Sequence, residues 1–270
     1  MPQPVVTVLI PNYKTLTLTK LCLRLIRKHS HLEKIKVIVI DNDSRDDSVS
    51  YLRTLTWIEL IERPSIPGES PVQSHSRSLD LALARVTTSY VLSIHTDTLV
   101  KHPTWLEFLI TEMERSPKIA GVGSWKLECK PYWQLALKSI ESKVQQVYYQ
   151  LIGKTKHSLQ GVGENHYYLR SHCAMYRTAL LKKLNLHFSD GDTVAGKAMH
   201  KGLVDAGYDM VFLPPAVLVH YLEHINHATV VLNPELSSRH KSVTKGLRRI
   251  KKTLASLDAD KILQDVQLDR

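Results

Sequence analysis

The sequence predicts an α/β protein built on a mostly parallel, Rossmann-like sheet flanked by helices, with a basic amphipathic helix at the C-terminal end. Over residues 1–125, short apolar and β-branched runs alternate about four times with segments of helical periodicity, as in a parallel sheet with helices on both faces. Beyond residue 125 the alternation ends. We therefore predict a main domain, 1–232, with halves 1–125 and 126–232, and a helical tail, 233–270.

Each element of the first half is predicted from the spacing of its apolar residues and from turn and capping residues. The predicted strands are Val5 to Ile10, Lys36 to Ile40, Trp57 to Ile61, Tyr90 to Ile94 and Ile119 to Val122. The predicted helices are Leu16 to His29, Val49 to Leu55 capped by Asp46 or Asp47, Ser74 to Arg85, and one that Thr104 caps. Ligands of such open sheets bind just past the carboxyl ends of the strands.

The second half is predicted to be less regular. Its predicted elements are a strand within Tyr167 to Tyr176, helices over Thr178 to Leu184 and Thr193 to Ala206, and strands at Met210 to Leu213 and Ala216 to His220. Between the halves, an apolar stripe from Trp133 to Leu151 recurs at steps of four and three. This spacing predicts an amphipathic helix that packs on the sheet or on a second copy, which leaves a homodimer open.

Composition and cysteine usage indicate a soluble globular protein of a reducing compartment. Of 270 residues, 43% are hydrophobic and 23% are charged, as in ordinary globular domains. The three cysteines are odd in number and widely spaced, which suits free thiols in a cytosol. Since no apolar run approaches the roughly 18 residues of a membrane span, we expect a cytoplasmic location, with a peripheral position on the inner membrane face as an option.

The formal charge of +10 indicates an acidic partner, such as a nucleotide, a nucleic acid or an anionic membrane. Much of the excess lies in the tail, over residues 239–257. Apolar residues there share one helical face: Val243, Leu247, Ile250, Leu254 and Leu257. This pattern predicts a helix lying on anionic lipid, and the alternative is a solvated helix that packs on protein. Nucleic acid is disfavoured, because acidic turns elsewhere would repel its phosphates.

Three carboxylate-bearing turns follow predicted elements, namely Asp41 to Asp47, Asp97, and Asp190 to Asp192. If they converge, the first can hold a ribose or base, the second a cation that bridges a diphosphate, and the third can act as a base. The alternative is ordinary turn and helix-cap chemistry, for which the same residue types are favoured.

These segments resemble the nucleotide-binding half of family-2 glycosyltransferases of the GT-A fold. The matching stretches are VTVLIPNY, VIVIDNDSRDDS and YVLSIHTDT, and the resemblance extends over residues 4–125 and more loosely over 160–225. The family's second strand ends in a pattern like DN-x-S-x-D-x-S, and its fourth ends in the D-x-D motif that binds the metal and the donor diphosphate. His95 stands at the first Asp of D-x-D.

The resemblance implies site residues position by position. Implied contacts to the nucleotide sugar come from Pro11, Asn12, Tyr13, Asp41, Asn42, Ser44, His95, Thr96 and Asp97. It implies that Asp97 coordinates Mn²⁺ or Mg²⁺ and that His220 makes a second metal or phosphate contact. An imidazole suits Mn²⁺ and softer ions better than Mg²⁺, so His95 either shifts the metal preference or marks a site without a metal.

The resemblance also implies a catalytic base, Asp192, at the start of a helix that ends in Gly207 and Tyr208. Asp190 is an alternative base, and helix capping is an alternative role for both. His224 and His227 follow His220 at helical spacing and could instead form a metal cluster with it. Further candidates for acceptor contacts are Glu164, His166, His172 and Arg177. Asp80 receives no assigned role.

Together these implications describe an inverting glycosyltransferase. It would transfer a sugar from a UDP, GDP or dTDP donor to a hydroxyl of a polysaccharide or lipid-linked glycan. One alternative is a sugar-phosphate nucleotidyltransferase, although the segment after the first strand, PNYKTLTLTK, lacks the Gly-rich loop of such enzymes. The other is a non-catalytic nucleotide- or glycan-binding protein with a degenerate D-x-D motif.

Overall fold

The fold was obtained as a computed structural model that describes residues 4–125, 166–225, 228 and 240–270. The apolar stripe from Trp133 to Leu151 lies outside these residues, as do Glu164 and His227. A homodimer through that stripe therefore stays a prediction.

The first half alternates strands and helices as predicted, and one short extra strand follows the fourth. The strands are β1 (Val6–Asn12), β2 (Ile35–Asp41), β3 (Ile58–Glu62), β4 (Tyr90–Ile94), β5 (Thr98–Val100) and β6 (Ile119–Gly123). The helices are α1 (Leu16–His29), α2 (Asp47–Leu52), α3 (Pro71–Leu83) and α4 (Trp105–Glu114). The Asp46 side chain caps α2 by accepting from the Ser48 N–H, and Ser70 and Gln73 form a capping box on α3.

The second half contributes three strands and five helices among the described residues. The strands are β7 (Cys173–Arg177), β8 (Asp209–Phe212) and β9 (Leu222–His224). The helices are α5 (Thr178–Lys183), α6 (Lys197–Asp205), α7 (Pro215–Leu218), α8 (His240–Ser256) and α9 (Ala259–Gln264). Short 3₁₀ turns cover Asp190–Asp192 and Val266–Asp269.

The main sheet has seven described strands in the order β3-β2-β1-β4-β7-β6-β8. All neighbouring pairs are parallel except the two that involve β7, so the predicted mostly parallel sheet is confirmed. Side chains alternate between two buried layers: Val8 and Ile10 pack on the side of α1 and α4, whereas Leu9 packs on the side of α3 and α6. β5 and β9 form a separate antiparallel pair.

Two sequence predictions for the second half are wrong. Ala216 to His220 is not a strand, because Pro215 begins the short helix α7 and the strand comes later, at β9. The helix predicted from Thr193 begins only at Lys197. The backbone before it turns left-handed at Gly191, Asp192 and Gly196, where φ is +71°, +49° and +76°, and such residues interrupt a right-handed helix.

The tail folds back onto the domain. Ile250 of α8 is buried, and Leu254 and Leu257 pack against the core beside α1, whereas Leu247 is 45% exposed. Three of the four described residues of the apolar face predicted to meet lipid therefore pack at least partly against protein. The tail's end is fixed by Arg24 of α1, whose guanidinium donates to both carboxylate oxygens of Asp269. Among the described residues, no helix is long and apolar enough to cross a bilayer.

Candidate active site

A hydrogen-bonded network joins the carboxyl ends of β1 and β2. Asn12 and Asp41 occupy paired register positions on these strands, so their side chains meet. The Asn12 amide donates to Asp41 over 2.7 Å and to the Ser48 hydroxyl over 3.0 Å. Ser44 donates to Asp41 through both its N–H and its hydroxyl. Asp41, 2% exposed, is thus a buried carboxylate supplied with donors, which organises the strand ends.

A cleft of about 410 Å³ opens beside this network. Its walls come from the ends of β1, β2 and β4, the loop after β3 and the start of α3. The lining includes six of the residues that the resemblance implied for the nucleotide sugar: Pro11, Asn12, Tyr13, Asn42, His95 and Thr96. The other three, Asp41, Ser44 and Asp97, are buried.

His95, Asp97 and His224 come together past the end of β4. His95 and Asp97 lie on the chain that connects β4 to β5, and β9 pairs with β5 so that His224 faces Thr98. The Asp97 Oδ1 atom lies 3.8 Å from His95 Nδ1 and 3.4 Å from His224 Nε2. One ligand atom from each residue falls within 4.8 Å of the others, a spacing that suits shared coordination of one cation.

Asp97 differs from Asp41 in how its oxygens are satisfied. Within the described residues, its buried Oδ1 has no hydrogen-bond partner, whereas Oδ2 accepts from the Ala228 N–H over 3.4 Å. Burial alone would raise the pKa of the Asp97 carboxyl, but interactions with His224 and His95 outweigh burial, and the pKa lies below its ordinary value. Asp97 is therefore a carboxylate with a free oxygen directed at two imidazoles.

Further histidines surround this group. The Ser171 hydroxyl lies 3.0 Å from Nε2 of both His75 and His95, and the His172 ring stacks on His224 at 4.5 Å. Burial lowers the pKa of His75 to about 4 and lowers the pKa values of His95 and His172 well below the usual range. These three imidazoles are therefore neutral at pH 7, the form that binds metals.

His220 lies outside the group. It follows α7 and is exposed, so the histidine that reaches Asp97 is His224, four residues later. The expectation of a His220, His224 and His227 cluster on one helical face is wrong for its first two members, because His224 lies in a strand. The sequence raised His224 only in that alternative, and it gave no signal for Ser171 or His75, whose proximity depends on long-range packing.

Asp192 lies beside α3, at the end of a 3₁₀ turn. Both of its carboxylate oxygens accept from the Gln73 side-chain amide over 3.0 Å, and neighbouring Pro71 and Ser74 line the cleft. Lower on α3, Asp80 accepts from the backbone N–H groups of Phe188 and Ser189. Asp192 does not cap α6, which begins five residues later, so helix α3 rather than α6 holds its position.

A polar cleft and an acid–imidazole group at the carboxyl edge of a mostly parallel sheet define a ligand-binding α/β domain of the kind that enzymes use. The profile of glycosyl transferase family 2 matches residues 7–184. This is more than half of the chain, and the protein belongs to that family, as the sequence resemblance predicted. No curated protein matches the chain.

Solved structures with the same fold include a mannosyltransferase and the protein TarS. The mannosyltransferase PcManGT from Pyrobaculum calidifontis, in complex with GDP-Man and Mn²⁺, has 19% identity and a TM-score of 0.56, over 86% of this chain and 61% of that chain. TarS 1-349 from S. aureus has 16% identity and a TM-score of 0.51, over 86% and 62%. The chain thus spans about three fifths of each relative, and the likeness confirms the GT-A fold.

Proposed function

We propose that the protein is an inverting glycosyltransferase that uses a nucleoside-diphosphate sugar. The observation that supports this most directly is the buried Oδ1 atom of Asp97, which has no hydrogen-bond partner among the described residues and is directed at His95 and His224 beside the cleft. A buried carboxylate oxygen without a donor is costly unless a cation satisfies it. A divalent cation at this position would contact a diphosphate lying in the cleft.

The three side chains fit a divalent metal ion in both chemistry and spacing. They offer two imidazole nitrogens and one carboxylate oxygen within 4.8 Å of one another. Imidazole ligands favour Mn²⁺ and later transition metals over Mg²⁺, so we propose Mn²⁺ as the preferred ion. When bound, the ion would neutralise charge on the leaving diphosphate. The PcManGT structure contains Mn²⁺ with GDP-Man, which supports the same assignment for this chain.

The remaining chemistry is assigned to residues around the cleft. Asn12, Tyr13 and Asn42 line the space proposed for the nucleotide, and Asp41 keeps Asn12 in position. The acceptor hydroxyl attacks the anomeric carbon as the bond from that carbon to the diphosphate oxygen breaks. Asp192 takes the hydroxyl proton. A single displacement of this kind inverts the configuration at the anomeric carbon.

The donor nucleobase, proposed to be uracil, guanine or thymine, is tested by thermal shift. UDP, GDP and dTDP are screened with Mn²⁺ and with Mg²⁺, because a ligand of the native state raises its stability by mass action. Release of nucleoside diphosphate from the matching sugar nucleotides is then measured with and without EDTA. We expect stabilisation by one diphosphate with Mn²⁺, and turnover that EDTA abolishes. Absence of binding and of turnover for every donor would contradict the proposal.

Two experiments separate the proposed glycosyltransferase from a non-catalytic binding protein and from a nucleotidyltransferase. A glycosyltransferase should lose turnover in Asp192→Asn while it still binds the donor. A non-catalytic binding protein would show the same ligand affinity before and after the substitution and no turnover in either. A nucleotidyltransferase would release pyrophosphate rather than a nucleoside diphosphate, and product analysis separates it directly.

For the acceptor and the cellular site, we propose a polysaccharide or lipid-linked glycan acceptor and a cytoplasmic protein at the inner membrane face. The buried free thiols of Cys22 and Cys173 suit a reducing compartment. Since Ile250 and Leu254 of α8 pack on the domain, membrane contact would be mainly electrostatic, through exposed Lys251 and Lys252. Sedimentation with phosphatidylglycerol vesicles should fall when both lysines are changed to Glu, and unchanged sedimentation would contradict membrane contact.

A further inference from the structure

An aromatic cluster lies beyond the end of β6 and plays no part in the mechanism above. Trp125, the second residue after β6, meets Tyr167 and Tyr168 edge to face, with ring centroids 5.0 and 5.1 Å apart. The Arg170 guanidinium lies over the Trp125 ring at 4.4 Å. Tyr168 is buried, but Tyr167 is 46% exposed and Trp125 is only half-buried. Two aromatic rings thus form an open corner at the protein surface.

Arg170 is incompletely satisfied at this corner. Its Nε atom is buried and has no hydrogen-bond partner among the described residues. A buried guanidinium donor without an acceptor is uncommon and costs free energy. The Arg170 side chain as a whole is only partly buried, so a ligand oxygen can approach its guanidinium group, and the open Trp125 and Tyr167 rings offer an apolar surface next to it.

The cluster connects to the proposed catalytic site on two sides. On one side, Ser124 precedes Trp125, and its hydroxyl lies 3.3 Å from Nε2 of His172, whose ring stacks on His224. Arg170 is followed directly by Ser171, which contacts His75 and His95. The cluster is therefore adjacent to the residues proposed to hold the metal and the donor diphosphate.

On the other side, the cluster approaches the segment that bears the proposed base. His166 lies next to Tyr168, with ring centroids 6.4 Å apart, and its Nε2 atom lies 3.4 Å from the carbonyl oxygen of Lys197. Lys197 begins α6, five residues after Asp192. The cluster is therefore linked through His166 to the segment that bears the proposed base, and through Ser124 and Ser171 to the histidines near the proposed metal site.

We propose that Trp125, Tyr167 and Arg170 form the subsite for a pyranose ring of the acceptor. The apolar C–H face of the sugar packs on the aromatic corner, and a sugar oxygen accepts from Arg170. Aromatic surfaces with a few placed polar groups are the usual lining of small-molecule sites. This inference rests on the proposed glycosyltransferase function, because the acceptor is a substrate of that reaction.

The test is saturation-transfer NMR with methyl pyranosides of glucose, galactose and mannose and with N-acetylglucosamine. Sorbitol, which has the hydroxyls but no ring, is the matched ligand control. The variants are Tyr167→Ala, Trp125→Phe and Arg170→Gln, with Trp57→Phe, just before β3, as the control. We expect a pyranoside signal in the wild type, none with sorbitol, and a loss of affinity of about twofold to tenfold in the three variants but not in the control.

Thermal melting and nucleotide binding distinguish a failure of the sugar subsite from misfolding of a variant and from a failure of the proposed function. The three variants should melt like the wild type and keep the stabilisation given by nucleoside diphosphate with Mn²⁺. Sugar affinity that is unchanged in natively folded Tyr167→Ala and Trp125→Phe would overturn the subsite, and so would the failure of every pyranoside to bind the wild type. A wild-type protein that binds no nucleoside diphosphate would instead overturn the proposed function.

Discussion

Asp41 and Asp97 are two buried aspartates at the carboxyl edge of one sheet, and they are satisfied in opposite ways. Asp41 receives hydrogen bonds from Asn12 and from the N–H and hydroxyl of Ser44. Asp97 keeps one buried oxygen without a hydrogen-bond partner among the described residues, close to His95 and His224. A carboxylate whose oxygens all have hydrogen-bond donors stabilises the fold, whereas one with an oxygen that lacks a donor is available to a cation. The difference teaches that burial alone does not identify a ligand-binding acid.

The largest expected effect comes from exchanging the two acids for amides. Asp97→Asn should abolish the stabilisation by Mn²⁺ and nucleotide and lower turnover more than about 100-fold, because the metal supplies several kcal/mol of charge stabilisation. Without metal, the Asp97→Asn protein should be less stable than the wild type at neutral pH, because the lowered pKa of Asp97 means that the folded state favours the ionised carboxylate. Thermal melting with and without Mn²⁺ and steady-state kinetics measure both.

Asp41→Asn is the matched variant. It should lower the free energy of unfolding by about 1.5–3 kcal/mol through weakened charged hydrogen bonds, while the folded protein still responds to Mn²⁺. If Asp41→Asn loses the Mn²⁺ response and Asp97→Asn keeps it, the contrast between the two acids is wrong.

A smaller effect is expected from the histidine on β9. His224→Ala should weaken Mn²⁺ binding by about 100-fold or more. Removal of a residue that only supports a metal ligand already costs about 10-fold to 100-fold in metal affinity. His220→Ala, four residues earlier and exposed, should bind Mn²⁺ like the wild type. Isothermal titration of Mn²⁺ in the presence of nucleoside diphosphate decides between them, and equal losses in both variants would count against the assigned ligands.

A third carboxylate, Asp80, has both oxygens hydrogen-bonded to backbone N–H groups. It tests whether such an acid contributes to catalysis by holding the segment of Asp192 in position. Asp80→Asn keeps one acceptor for the backbone N–H groups of Phe188 and Ser189 and loses the charge, so that the segment carrying Asp192 should shift slightly. We expect kcat to fall about tenfold with donor affinity unchanged, because small misplacements of reacting groups slow catalysis. Exposed Asp209→Asn is the control. A change in donor KM with unaltered kcat would exclude this positioning role.

The smallest effect concerns pH and the tail. Burial alone would raise the pKa of Asp269, but hydrogen bonds from Arg24 and Tyr51 outweigh burial, and the pKa lies below its ordinary value. Such a carboxylate adds stability above its unfolded pKa, near 4, and this stability is lost as the pH falls through the folded pKa. Asp269→Asn should therefore destabilise by about 1–3 kcal/mol at pH 7 and progressively less at lower pH.

Urea unfolding across this pH range measures the difference between the wild type and Asp269→Asn. Asp260→Asn, an exposed change on α9, should unfold like the wild type at every pH. A wild-type advantage that stays constant from pH 7 to about pH 3 would show that the stabilisation does not come from the Asp269 carboxylate.

The first half of the fold could be predicted closely because its signals are local. The second strand was expected over Lys36 to Ile40, and β2 covers Ile35–Asp41. Parallel strands with helical connections place their carboxyl ends together, so Asn12 and Asp41 meet as the pattern implied. The order of residues along these strands therefore contains most of the information needed to build that side of the cleft.

The second half could not be predicted to the same extent, because its site residues depend on long-range pairing. His224 reaches Asp97 because β9 pairs with β5, more than a hundred residues earlier in the chain. No local periodicity encodes that register. Left-handed backbone at Asp192 and Gly196 precedes α6, which begins at Lys197 and not at the predicted Thr193. Ser171 contacts His75 and His95 only because β7 enters the sheet antiparallel next to β4.

The central claim, that His95, Asp97 and His224 hold one divalent ion, is tested most directly by magnetic resonance of bound Mn²⁺. Pulsed electron paramagnetic resonance of protein labelled with ¹⁵N-histidine, with Mn²⁺ and nucleoside diphosphate, detects imidazole nitrogens coordinated to the ion. We predict coupling to two histidine nitrogens, reduced to one in His95→Ala and in His224→Ala, and unchanged in His220→Ala. Bound Mn²⁺ without histidine coupling, or coupling that persists unchanged in His224→Ala, would contradict the claim.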